Sequence, residues 1–130
     1  MKFLVGYSGS ALDERVLKQA QTHASVFNAD IYIVTSLEQS STLEKAEIDK
    51  AEGELEYLRT PFNIDAINCE TFVSVNYLSP GEDLVQFAKD NRIDMIFIGI
   101  KKTSKVGKLV FGSTAQYVLL KAPCPVVAVR

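Results

Sequence analysis

The segment from Gly99 to Ser113 reads Gly-Ile-Lys-Lys-Thr-Ser-Lys-Val-Gly-Lys-Leu-Val-Phe-Gly-Ser, and its residue types are those of an anion site. Glycines let backbone N–H groups approach a ligand. Lys101, Lys102, Lys105 and Lys108 add positive potential. The segment ends where Gly112-Ser113-Thr114 opens a helix, and the unpaired amides and dipole of a helix start favour negative charge. A second polar turn, Tyr7-Ser8-Gly9-Ser10, follows the first apolar run of the chain. Other chemistries are less complete. Gly107-Lys108 ends like a phosphate-binding Walker loop, but position 102 is Lys and Leu109 stands where Ser or Thr is needed. Ser8 or Ser113 as a nucleophile would need a base, and His23, the sole histidine, falls inside the first helix beside its apolar stripe. Cys124 lies between two prolines and reads as a small packed residue. One histidine and two distant cysteines do not make a zinc site.

These loops need elements to hold them, and the chain supplies an alternation. Phe3–Tyr7 is a strand. Ser10 with Asp13 reads as a short capping box, and Val16, Leu17, Ala20, Ala24 and Phe27 then recur at helical spacing. Asn28-Ala29-Asp30 breaks that helix, and Ile31–Val34 is a second strand. Ser40-Ser41-Thr42 opens a second helix, with Leu43, Ala46, Ala51, Leu55 and Leu58 on one face, mixed charges on the solvated face and Pro61 as its stop. Phe72–Val75 is a third strand. Ser79-Pro80-Gly81-Glu82 is a strong helix start, and Ile93–Gly99 is a buried strand. The last helix begins at Gly112-Ser113-Thr114, Pro123-Cys124-Pro125 ends it, and Val126–Val129 is the fifth strand.

Strands that are continuously apolar are covered on both faces, and helices between them make the sheet parallel. The expected fold is α/β: a doubly wound five-stranded parallel sheet, order 3-2-1-4-5, with helices on both faces. Its switch point lies between the first and fourth strands, where ligands sit beyond the carboxyl ends. Those ends are Ser8-Gly9-Ser10 and Gly99 onward.

The chain has 130 residues, 47% hydrophobic, with a formal net charge of −2. That is the size of one domain, residues 1–130, and a field that recruits neither nucleic acid nor anionic lipid. The apolar start is too short for a signal peptide, and no run approaches a membrane span, so a reducing cytoplasmic setting is expected.

Asp94–Gly99, Gly112-Ser113-Thr114-Ala115-Gln116 and Ala122-Pro123-Cys124-Pro125-Val126-Val127-Ala128-Val129 together resemble the C-terminal half of the universal stress proteins, within the adenine nucleotide alpha-hydrolase-like superfamily. The first strand with Gly9-Ser10, and the Pro80, Ala88, Asp94 spacing, extend the likeness over nearly the whole chain. Nucleotide-binding members carry glycine, two residues, glycine, nine residues, then glycine and Ser or Thr. Gly99 and Gly112-Ser113 match the ends of that pattern; Lys102 stands at its middle glycine, and Ser8 where the family usually has Asp.

The resemblance implies ATP or AMP as ligand, with Mg²⁺ possible. Gly99, Lys101, Lys102, Gly112, Ser113 and Thr114 would lie around the phosphates; Tyr7, Ser8, Gly9 and Ser10 at the first strand end; and Thr35 and Ser36, at the edge of the second strand, would flank adenine through backbone polar groups. It also implies a homodimer through Val126, Val127, Ala128 and Val129, an apolar edge with little to blunt it. Three functions follow: a nucleotide-binding regulatory stress protein, a stress-protein dimerisation module without nucleotide, and a slow ATP hydrolase, for which no acid–base pair is evident.

Overall fold

In the computed structural model, residues 1–101 and 111–130 are described. Nine elements alternate: β1 (Lys2–Gly6), α1 (Asp13–Phe27), β2 (Asp30–Glu38), α2 (Lys45–Ile64), β3 (Cys69–Asn76), α3 (Pro80–Asp90), β4 (Met95–Gly99), α4 (Ser113–Lys121) and β5 (Val126–Val129). The five strands form one sheet in the order β3-β2-β1-β4-β5, every pair parallel. This is the doubly wound order expected from the alternation.

The pleat divides the core. Phe3, Val5, Ile31, Ile33 and Phe97 point to one face, under Val16, Ala20 and Ala24 of α1 and Leu55 and Phe62 of α2. Leu4, Val34, Ile96 and Ile98 point to the other, under Leu84, Val85 and Ala88 of α3 and Ala115 and Val118 of α4. Strands buried on both faces have no polar face to alternate with, which is why they read as continuous apolar runs. Among the described residues no helix is long and apolar enough to cross a membrane.

Four local expectations are corrected. Helix α1 starts at Asp13 rather than being capped by the Ser10 side chain: Ser10 supplies only its carbonyl, to the Asp13 amide at 3.1 Å, and the Asp13 carboxylate turns back to Ser8. Helix α2 starts at Lys45, behind a Glu44/Glu47 capping box; Ser40 and Thr42 instead bond each other at 3.0 Å in a turn. Pro61 lies within α2 instead of ending it. The ring removes one donor, while Phe62, 2% exposed, anchors the last turn in the core. Finally, β2 runs on to Glu38 because residues 31–38 pair with Cys69–Asn76 of β3, so Thr35 and Ser36 sit inside the strand. The Ser79/Glu82 box with Pro80 at the head of α3 is present as read.

Candidate functional site

A cleft of about 530 Å³ opens beyond the carboxyl ends of β1 and β4, the switch point of this topology. Tyr7, Ser8 and Ser10 reach it from the turn after β1, Ser36 from β2, Gly99 and Lys101 from the end of β4, and Gly112, Ser113 and Thr114 from the start of α4. Gly9 and Thr35 face an adjoining cavity of about 490 Å³ that shares Tyr7 and Ser8 with the cleft. Lys102 falls outside the described residues. The apolar walls were not anticipated as site residues: Val34, Ile98, Leu12, Leu84, Pro80 and Phe111. Val34 and Ile98 were readable only as core, and the α3 residues join the cleft because the helix returns over the sheet.

The glycines play different parts. Gly9 has φ +80°, the left-handed region that favours glycine. At Gly99 a Cβ would stand 3.3 Å from Leu12 Cβ and 3.3 Å from Val16 Cγ2, so close packing against the start of α1 already favours glycine there. Gly112 is unlike both. Its φ of −64° and ψ of 163° suit any residue, and an added Cβ meets no atom of the described residues within 4 Å. It precedes the first turn of α4, where helix geometry leaves the early amides without internal partners, and no side chain among the described residues caps them. That is a cradle open to an anion. Gly81 sets its position: a Cβ there would press on Tyr117 Cβ at 3.0 Å and the Thr114 carbonyl at 3.3 Å, so α3 and α4 approach closely.

Two carboxylates are buried near these loops. Asp13, 6% exposed, accepts from the Ser8 amide at 3.4 Å and the Ser8 hydroxyl at 3.3 Å through Oδ1; its Oδ2 has no partner among the described residues. A carboxylate therefore stands at the loop after β1 although position 8 lacks one, supplied from α1. Asp83, 5% exposed in the first turns of α3, accepts from Ser36 Oγ at 2.6 Å, Ser74 Oγ at 3.1 Å and Asn76 Nδ2 at 2.6 Å. The sequence reading missed it. The signal was a row of short polar residues, 36 on β2 and 74 and 76 on β3, at positions that alternate onto one face.

Burial, then the charges of Glu54 and Asp13, hold the Tyr7 phenol above its ordinary range, so it stays a neutral donor at physiological pH. Cys69, 2% exposed, has its thiol pushed up to about 11, chiefly by burial; burial and then Asp94 also raise Cys124. Neither is an activated nucleophile. His23 packs on the Phe97 ring, centroids 5.2 Å apart, with Nδ1 2.8 Å from the Gln19 carbonyl, away from the cleft. Among the described residues lining the cleft there is no carboxylate and no histidine, and nowhere among them do three His, Cys, Asp or Glu gather to hold a metal.

Fold and cleft define a doubly wound α/β protein with a glycine- and hydroxyl-lined site at its switch point. The chain belongs to the universal stress protein family, whose family model matches residues 1–130. It is 29% identical over 138 residues to a universal stress protein of Mycolicibacterium smegmatis, covering 98% of this chain and 95% of that one. Among solved structures it is similar to a universal stress protein from Archaeoglobus fulgidus, with TM-score 0.89, 32% identity and coverage of 100% and 98%. It is also similar to the universal stress protein from Archaeoglobus fulgidus in complex with dAMP, with TM-score 0.85, 28% identity and the same coverage.

Proposed function

We propose that this chain binds an adenine nucleotide, ATP or AMP, in the cleft at the switch point, and acts as a regulatory stress-response protein whose ligand state alters its partners. The observation that carries the reading is Gly112: neither its backbone angles nor its neighbours among the described residues demand a glycine, whereas a phosphate resting on the α4 amides does. The dAMP complex of a relative 28% identical supports it. In this reading Gly112, Ser113, Thr114 and Lys101 hold the phosphates, with Lys102 assigned there on sequence alone. Tyr7, Ser8, Ser10 and Ser36 lie along the rest of the ligand, beside Gly9 and Thr35. Mg²⁺ would be held by phosphates and water rather than by side chains, since no described carboxylate lines the cleft.

The test is thermal melting with ATP, ADP and AMP, with and without Mg²⁺, beside mass spectrometry of ligand released from denatured protein. A ligand at ~100 times its Kd adds about 2.7 kcal/mol. No shift and no bound nucleotide would overturn the reading.

A second reading, a dimerisation module without nucleotide, is favoured by Lys102, which stands where nucleotide-binding members have glycine. It expects Lys102→Gly to create affinity where the parent has none. Both readings include a homodimer through Val126–Val129: among the described residues, β5 closes one edge of the sheet and is paired only to β4. Both place the protein in the cytoplasm, with both cysteines free, and leave nucleic acid and membrane outside its partners.

A further inference from the structure

Ser36 stands opposite Ser74 in the β2–β3 register, and both hydroxyls turn to the buried Asp83. The proton directions in this cluster are set from the backbone outward. The Leu78 amide donates to Asn76 Oδ1 at 2.9 Å, which turns Asn76 Nδ2 toward Asp83 Oδ1 at 2.6 Å and Ser74 Oγ at 3.2 Å. Ser74, already accepting, donates its proton to Asp83 Oδ1 at 3.1 Å. Asp83 Oδ2 is left to Ser36, whose Oγ donates to it at 2.6 Å. A serine hydroxyl has one proton and two lone pairs. With the proton committed to Asp83, Ser36 has only acceptor capacity left.

Ser36 lines the cleft beside Val34 and Leu84, an apolar surface suited to a flat base. It lies on β2, two strands from the end of β4, or about 10 Å at the usual strand spacing. Phosphate oxygens, being acceptors, gain nothing from an acceptor. We propose that Asp83 fixes Ser36 as an obligate acceptor in the base-binding end of the cleft, so that the site selects a 6-amino purine over a 6-keto purine. This rests on the nucleotide reading above, and adds to it a specificity residue, Ser36, and a positioning residue, Asp83.

The test is calorimetric titration of the full chain with AMP, IMP and dAMP, for the parent, Ser36→Ala and Asp83→Asn, with melting curves to establish that each variant is folded. The parent is expected to favour AMP over IMP by about tenfold or more, the effect of leaving buried polar groups mismatched. AMP and IMP differ along the ring edge as well, so the decisive quantity is the change on substitution. Ser36→Ala is expected to bring the AMP-to-IMP preference down to within ~3-fold. In Asp83→Asn, Asn76 and Ser74 still require the oxygen. The new amide N–H₂ therefore faces Ser36 and frees its proton for the cleft, and IMP should gain on AMP. A folded Ser36→Ala that keeps the parent's preference overturns the inference while the nucleotide reading stands. So does one that changes the AMP-to-dAMP preference instead, since Ser36 would then serve the ribose. Binding of none of the three nucleotides, nor of ATP or ADP, by the parent overturns both.

Discussion

The Asp13 carboxylate stands 3.3 Å from the Ser8 hydroxyl and 3.4 Å from the Ser8 amide, closing the turn between β1 and α1 from the helix side. One of its oxygens is buried without a partner among the described residues. This pair holds one wall of the cleft, since Ser8 lines it and Asp13 does not. Asp13→Ala removes the acceptor of both Ser8 donors and is expected to cost about 1–3 kcal/mol in urea unfolding. Asp13→Asn keeps an acceptor for Ser8 and relieves the unpaired buried charge, so it should cost less. A larger loss in Asn than in Ala would show that the charge itself is required.

Gly112 and Gly99 should separate binding from folding. Gly99→Ala forces a Cβ against Leu12 and Val16 at 3.3 Å and should lower stability by about 1–3 kcal/mol. Gly112→Ala meets no atom of the described residues within 4 Å. Its expected cost is only the difference between glycine and alanine at a helix cap, under about 1 kcal/mol, while nucleotide affinity falls roughly tenfold as the methyl intrudes on the anion cradle. Melting curves with and without AMP read both quantities. Equal behaviour of the two variants would remove the case for Gly112 as a ligand contact.

Cys69 provides a pH signature of the core. An ordinary thiol near 9 is pushed up to about 11 here, so between those values the folded chain holds a proton that the unfolded chain releases. Stability from this group is complete below pH 9 and declines as pH rises toward 11, by on the order of 1–2 kcal/mol. Comparison with Cys69→Ala isolates it, because tyrosines and lysines titrating nearby are common to both proteins. A parent and variant with parallel stability profiles over that range would contradict the assignment.

The β5 edge predicts association. Ala128 is exposed on β5, opposite Ile98 of β4, so Ala128→Pro places a residue without an N–H on the edge while sparing the valines that pack inward. Light scattering at tens of micromolar should give a dimer for the parent and a monomer for the variant. A monomeric parent sinks the edge-pairing proposal.

Sequence and tertiary structure divide the site between them for physical reasons. Continuous apolar runs separated by helical stripes determined the parallel sheet, because only strands covered on both faces read that way, and five strands in that alternation favoured the order the structure shows. The order determined the switch point, and with it the loops at Ser8–Ser10 and Gly99–Ser113. The Ser79-Pro80-Gly81-Glu82 start was legible because a capping box is local. Contacts between distant segments were not legible. Phe62 carries α2 past Pro61 by burial, pairing with β3 draws Thr35 and Ser36 into β2, and Asp13 leaves its own helix cap to reach Ser8. The sequence alone does not single out Asp83. Only the fold, by bringing Ser36, Ser74 and Asn76 onto one carboxylate, decided that it is buried and fixes the hydroxyl facing the cleft.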